Sequence, residues 1–330
     1  MPIHRSRPVS RPRGGVLALA LALLPVASLS CGRAASPPAA DTSFEAHWED
    51  GKAELDGYRY AVTRYGERRS GRCVMVFVTE PFSESLRVKV DDPSRHPGDV
   101  FEALKLNLVR SFQTGIYDYE TMVSVFARSA DFSPAKIAFS STEWCGSVYE
   151  QEIFRPGRVL STVDSYFEGE SGADTLATPE GGVAEDDLYI LLRGLRGDYL
   201  KPGERRSVPF LPSPFHARLT HQPIVWTTAE IERGTGAITL LVPAGSFRTS
   251  LYTVRVADGR EGRIWIERAA PHRIVKWAWS PPPRPATRMA GDAADQGELA
   301  GSARLAYWTL HGPGDERYLR ELGLTTRAPR

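Results

Sequence analysis

Apolar and polar residues alternate along most of this chain in short runs set off by turn residues, the period-two pattern of strands. YRYAVTRY (58–65) alternates and is followed by the polar turn GERRSG. RCVMVFVT (72–79) is apolar on both faces, which predicts a strand covered on both sides. LRVKV (86–90) alternates strictly, with Leu86, Val88 and Val90 on one face and Arg87 and Lys89 on the other, so it predicts a strand with one wet face. LKLNLV from Leu104, YETMVSVFA from Tyr119, KIAFSSTEW from Lys136, VYEQEIFR from Val148 and RVLSTVDSYFE from Arg158 continue the series. The second half repeats it with IVWTTAEIE from Ile224, GAITLLVPAG from Gly236, SFRTSLYTVRV from Ser246, GRIWIER from Gly262, RIVKWAWS (273–280) and ELAGSARLAYW (298–308). Such spacing implies an antiparallel meander. The Pro/Gly/Ala-rich PPPRPATRMAGDAADQ before the last run reads as a long exposed hairpin loop.

Between the halves lies one segment with helical character. Glu185, Asp186 and Asp187 would favour the N-terminal end of a helix dipole, Gly194 and Gly197 would end it, and Leu188, Leu191, Leu192 and Leu195 would share one face. DERYLRELGL (315–324) predicts a second, short helix. The expected organisation is a leader (1–30), a tether (31–43), a first β half (44–170), a loop with the central helix (171–204), a second β half (205–312) and a C-terminal helix and tail (313–330).

The N-terminus changes the picture of where this happens. Arg5, Arg7, Arg11 and Arg13 precede the apolar run VLALALALLPVASL (16–29), the pattern of an export signal and too short for a bilayer span of roughly twenty residues. Cys31 follows directly in SLSCGR, as in the lipobox of bacterial lipoproteins, although Ser28 and Ser30 also suit cleavage by the ordinary signal peptidase. A diacylated Cys31 would anchor the protein to a membrane, and Gly32 after it resembles the sorting pattern for the outer membrane. GRAASPPAADTS (32–43) reads as the tether. Without the four leader arginines, 37 basic residues face 40 acids, and no basic run remains, which argues against a nucleic-acid partner.

Several stretches, among them WEDGKAELDGYRYAVTRYGE, VFVTEPFSESLRVKVDDP, EWCGSVYEQ, VPAGSFRTSLYTVRV and ERAAPHRIVKWAWS, resemble an uncharacterised family of β-rich bacterial envelope lipoproteins. Some of its members are labelled septum formation inhibitor Maf. The SxSPRR motif of true Maf proteins is missing here, so that label is set aside. The resemblance implies a mainly β fold: a large, strongly curved antiparallel sheet, as a half-barrel or open barrel, like that of the lipoprotein carriers. Fold analogy does not fix function.

Chemistry is sparse in the sequence. With Cys31 assigned to the anchor, Cys73 and Cys145 could form a disulfide closing a loop worth about 4 kcal/mol, or stay as two thiols. His216 and His221 are badly spaced for a metal, and Asp91 and Asp92 before Pro93 fit a turn better than an acid pair. No GxSxG, HExxH or P-loop occurs, and no cofactor or metal is expected. Trp265, Trp277, Trp279 and Trp308 crowd the last strands, either as core or as an apolar ligand surface. The expected function is non-catalytic handling of a lipid or lipoprotein, or scaffolding in the envelope. An envelope hydrolase or redox enzyme, with a site assembled only in three dimensions, is the alternative.

Overall fold

In the computed structural model, which describes residues 42–281 and 295–325, the alternating runs form strands that hydrogen-bond into a single sheet. All described residues belong to the unit Ala40–Arg330. The first half supplies β1 (Ala53–Arg64), β2 (Glu67–Ser83), β3 (Val100–Thr114), β4 (Tyr117–Arg128), β5 (Pro134–Glu143), β6 (Gly146–Arg155), β7 (Arg158–Ser165) and β8 (Gly172–Ala177). The second supplies β9 (Val183–Ala184), β10 (Arg205–Leu211), β11 (Thr227–Val242), β12 (Gly245–Val256), β13 (Glu261–Glu267), β14 (Ile274–Ser280) and β15 (Asp295–Leu305). The spatial order runs from β8 down to β1, then β15 down to β9, so pairing of β1 with β15 joins the halves. Every neighbouring pair is antiparallel except β9 with β10.

This order forces curvature. Laid flat, fifteen strands at about 4.8 Å spacing would place the edges roughly 65 Å apart. Yet the edge strands β8 and β9 are separated by only residues 178–182, which reach about 20 Å at most. The sheet therefore rolls up until its edges approach, and the mainly β, strongly curved fold expected from the pattern is what forms.

The rolled sheet is filled by its own chain. Inward residues such as Tyr58, Met75, Leu106, Val123, Phe139, Ile231, Val254 and Trp277 pack on a plug that contains α2 (Leu188–Leu191) and α3 (Pro214–Thr220), with α1 (Thr42–Trp48) at one end. The central helix is far shorter than the leucine spacing predicts. Leu188, Tyr189, Ile190 and Leu192 are all buried, so the segment has no wet face and needs no amphipathic period. LRVKV is not a strand. It lies in the β2–β3 connection with Leu86 and Val88 exposed, held by a single bridge between Phe82 and Lys89. The runs from Ile224 and Gly236 are one strand, β11, broken only by an irregularity between Arg233 and Ala237. The short C-terminal helix is a 3-10 turn at Asp315–Arg320. Residues 282–294, most of the expected long hairpin loop, lie outside the described residues.

On the outer face a second small core forms. Leu322 and Leu324 from the C-terminal segment cover Ala53, Leu55, Val76 and Val78. Gly57 and Gly301, paired across β1 and β15, make this possible: a Cβ on either would meet the Leu322 or Glu321 carbonyl oxygen at 2.1 or 2.2 Å. Inside, the Trp277 ring lies over its cross-strand partner Gly297 and Trp279 over Gly262, aromatic side chains filling the space above glycines.

Candidate functional site: a polar-floored cavity at one end of the sheet

A cavity of about 710 Å³ opens at the end of the sheet reached by the β1–β2 and β12–β13 turns. Phe215, Leu219, Ile224, Val225 and Trp279 give it apolar walls, while Arg110, Glu185, Asp186, Arg260 and Asp295 bring charge to it.

Local structure places each of these groups. Arg110 occupies an inward position of β3, in phase with Leu106, Leu108 and Phe112, so its guanidinium must enter the interior. There Nη2 donates to Asp295 Oδ2 at 3.1 Å, and the guanidinium carbon lies 4.1 Å from the centroid of the Phe215 ring. Ser213 caps α3 by accepting from the Phe215 N–H at 3.1 Å, with Pro214 in the first turn. The Ser213 hydroxyl donates to Asp186 Oδ1 at 3.0 Å, and its N–H to Glu185 Oε2 at 3.2 Å. Arg260 Nη1 reaches Glu185 Oε2 at 3.0 Å and its Nε reaches Asp258 at 2.8 Å. Trp279 Nε1 donates to the Tyr189 hydroxyl at 3.1 Å.

Burial sets the protonation of the acids. It raises Asp186 to about 7, helped by the charge of Glu185 and opposed by Arg110. Behind Asp186, inward-facing Glu152 of β6 is pushed well up by burial and by the charges of Glu150 and Asp186, and burial raises Glu150 to about 7. His216 goes the other way: burial, with the nearby Arg260, lowers it to about 4 and keeps the ring neutral.

These groups suit binding better than covalent chemistry. The hydroxyl of Ser213, the nucleophile nearest His216 in the chain, already gives its proton to Asp186 and accepts the cap bond, so it is not primed by a base. What the site does offer is unused hydrogen-bonding capacity. Arg110 Nε and Nη1, Asp186 Oδ2, Asp295 Oδ1 and Arg260 Nη2 are buried without a hydrogen-bond partner among the described residues. Each such group costs about 1–3 kcal/mol unless water or a bound molecule meets it.

The residues singled out in the sequence are dispersed. Cys31 lies outside the described residues. Cys73 is buried on β2 and Cys145 is exposed in the β5–β6 turn, and both are free thiols. A bridge between them is ruled out by strand order: β3 and β4 lie between β2 and β5, a separation of roughly 14 Å against a Cα–Cα limit of about 7 Å. Burial raises the Cys73 thiol far above its usual range, opposed by the charge of Arg110 and helped by that of Asp295. The four tryptophans do not form one surface. Trp277 and Trp279 are core, with Trp279 also walling the cavity; Trp265 faces outward against Lys276; and Trp308 is exposed before the C-terminal turn. His216 lines the cavity, and His221 bonds Glu170 at 2.5 Å on its exposed side. Asp92 caps the turn at Pro93–Arg95 through Ser94. No group of three or more metal-ligating side chains occurs among the described residues. Arg110, Asp186 and Asp295 escaped sequence reasoning, yet an arginine in the buried phase of LKLNLVRSF was a signal for the first of them.

The chain matches no protein-family model and no curated protein. Among solved structures it is similar to the crystal structure of a β-barrel-like protein of domain of unknown function DUF1849 from Brucella abortus, covering 76% of this chain and 97% of that one at 9% identity and a TM-score of 0.46. The mainly β, curved fold rests on the protein's own fifteen-stranded sheet, and these comparisons name no activity for it.

Proposed function

We propose that this protein is a non-catalytic binding protein of the cell envelope, and that its end cavity holds an amphipathic small molecule. The observation that carries this reading is a cavity of about 710 Å³ with apolar walls on one side and buried, unpartnered polar atoms of Arg110 and Asp186 on the other. Volumes of roughly 300–1,000 Å³ suit small ligands, and a few convergent polar groups among apolar walls orient them. The apolar part of the ligand would rest on Phe215, Leu219 and Trp279, and its hydrogen-bonding head would meet Arg110 and Asp186. The hydrolase alternative draws support from the raised pKa of Asp186, but Ser213 is committed to capping and to Asp186 itself.

A dansylated medium-chain fatty acid tests this reading. Its emission should rise on binding the native protein, and Thr220→Trp, which adds bulk at an exposed position lining the cavity, should weaken binding at least tenfold. Equal binding by both proteins would remove the cavity as the site. Export and lipidation at Cys31 belong to the same proposal, supported by the leader and the SLSCGR pattern. An intact mass of the mature chain starting at Cys31 and carrying diacylglycerol would bear this out, whereas an unmodified start elsewhere would refute it.

A further inference from the structure

Four successive hairpins at the cavity end of the sheet each display one large apolar or aromatic side chain at the turn. They are Tyr65 between β1 and β2, Ile116 between β3 and β4, Trp144 between β5 and β6, and Tyr166 between β7 and β8. All four are between 62% and 78% exposed. From these tips we infer that this end of the protein docks onto a lipid surface, with the tip side chains entering the boundary between headgroups and acyl chains.

Three observations select a lipid layer as the occupant. The first is shape. Neighbouring hairpins in this sheet are about 10 Å apart, so the tips are separate points on an arc rather than a continuous flat patch. A fluid interface closes around separate points, whereas a folded partner would need matching pockets. The second is chemistry. The turn dipeptides Tyr65–Gly66, Gly115–Ile116 and Trp144–Cys145 carry no charge, and Tyr and Trp are the residues that favour the bilayer interface. Exposed charges beside them are mixed, with Glu67 and Arg68 at one tip and Glu168 at another, which matches a zwitterionic surface better than an anionic one. At the opposite end, exposed Leu86 and Val88 stand among Lys89, Asp91, Asp92 and Arg95.

The third is backbone conformation. Tyr65 has φ +57°, followed by Gly66 at +78°, in a two-residue turn where asparagine or glycine would sit with less strain. Its ring is nevertheless fixed, with its hydroxyl 2.9 Å from that of Tyr119, and the residue stays 62% exposed. Tyr166 is likewise fixed, its ring lying over Gly146. The inference does not depend on the cavity's being a ligand site, although docking here would bring lipid to the mouth.

Flotation with phosphatidylcholine vesicles tests it, using the chain from Ala40 onward, which holds every strand and core residue among the described residues and omits residues 1–39. The native protein should float with the vesicles, and Ile116→Ser/Trp144→Ser should reduce the floated fraction at least tenfold without changing the unfolding midpoint, because both side chains are exposed. Thr220→Trp should float like the native protein, so failure of the cavity reading is seen separately. Failure of the native protein to float, or equal flotation of the tip variant, would overturn the inference.

Discussion

Replacing Asp186 by asparagine should stabilise the protein more at pH 8 than in mild acid. The carboxyl is buried, accepts one hydrogen bond from Ser213 and has Oδ2 unpartnered among the described residues. Its pKa is raised from 3.8 to about 7. A raised acid favours the folded state fully below the unfolded pKa, where both states hold the proton. As pH climbs, the unfolded chain loses its proton first, and each further unit costs the folded state about 1.4 kcal/mol until the folded pKa is passed. Between pH 5 and pH 8 the loss from this group is therefore on the order of 2–3 kcal/mol. Asparagine keeps the acceptor for Ser213 and has no proton to lose, so the variant escapes it. Urea unfolding of both proteins at pH 5 and pH 8 reads the difference; Glu150 and His216 titrate in both, and Glu152, raised in part by the charge of Asp186, shifts in the same direction and adds to it. In thermal unfolding the relative gain should be roughly 5–10 °C. A stability difference that stays constant between the two pH values would refute the reasoning, because it would mean that Asp186 is already ionised and stabilised in mild acid.

Alkylation of the native protein from Ala40 onward should modify one thiol, exposed Cys145, with Cys73 reacting only on unfolding; two labels or none in the native state would contradict the positions of both. Gly301→Val should lift the C-terminal segment from the outer face, because its Cβ would lie 2.2 Å from the Glu321 carbonyl oxygen. Uncovering Leu322 and Leu324 should cost about 3 kcal/mol or more and open residues 306–325 to protease, and unchanged resistance would show that the segment does not depend on this contact. Arg193 and Glu54 form a buried ion pair at 2.7 Å, with Arg193 also donating to the Pro271 and His272 carbonyls. Arg193→Ala should cost about 3–5 kcal/mol in denaturant unfolding, while Arg193→Met/Glu54→Leu should recover much of it; equal loss in the double variant would mean that the carbonyl bonds dominate.

Strand identity was legible wherever one face was buried, because alternation is then enforced residue by residue. It failed in three instructive ways. LRVKV alternates but pairs with the end of β2 only through the single bridge between Phe82 and Lys89, so period alone did not make it a strand. The polar, exposed residues of β8 hide a strand that exists only because β7 pairs with it. The leucine spacing of 188–195 suggested an amphipathic helix where Leu188, Tyr189, Ile190 and Leu192 are buried together, and burial removes the pattern on which that inference rests. The cavity was less legible still. Arg110 in the mostly apolar inward phase of β3, and Glu150 and Glu152 beside Val148 in that of β6, are a visible anomaly, but Asp186 and Asp295 join them only through the roll of the sheet. Trp277 and Trp279 could be read as core or as a surface, because a strand shows its face but not what covers it. Tyr189 of the plug supplies that cover, with its ring 6.0 Å from that of Trp277 and its hydroxyl accepting from Trp279.

The most direct test of the account is native mass spectrometry of the protein purified gently from its own cells, alongside Thr220→Trp prepared in the same way. The account predicts a dissociable adduct of small-amphiphile mass on the native protein, strongly reduced in the variant. A native protein that flies without any adduct, or an adduct held equally by both, would contradict the claim that the end cavity is a binding site.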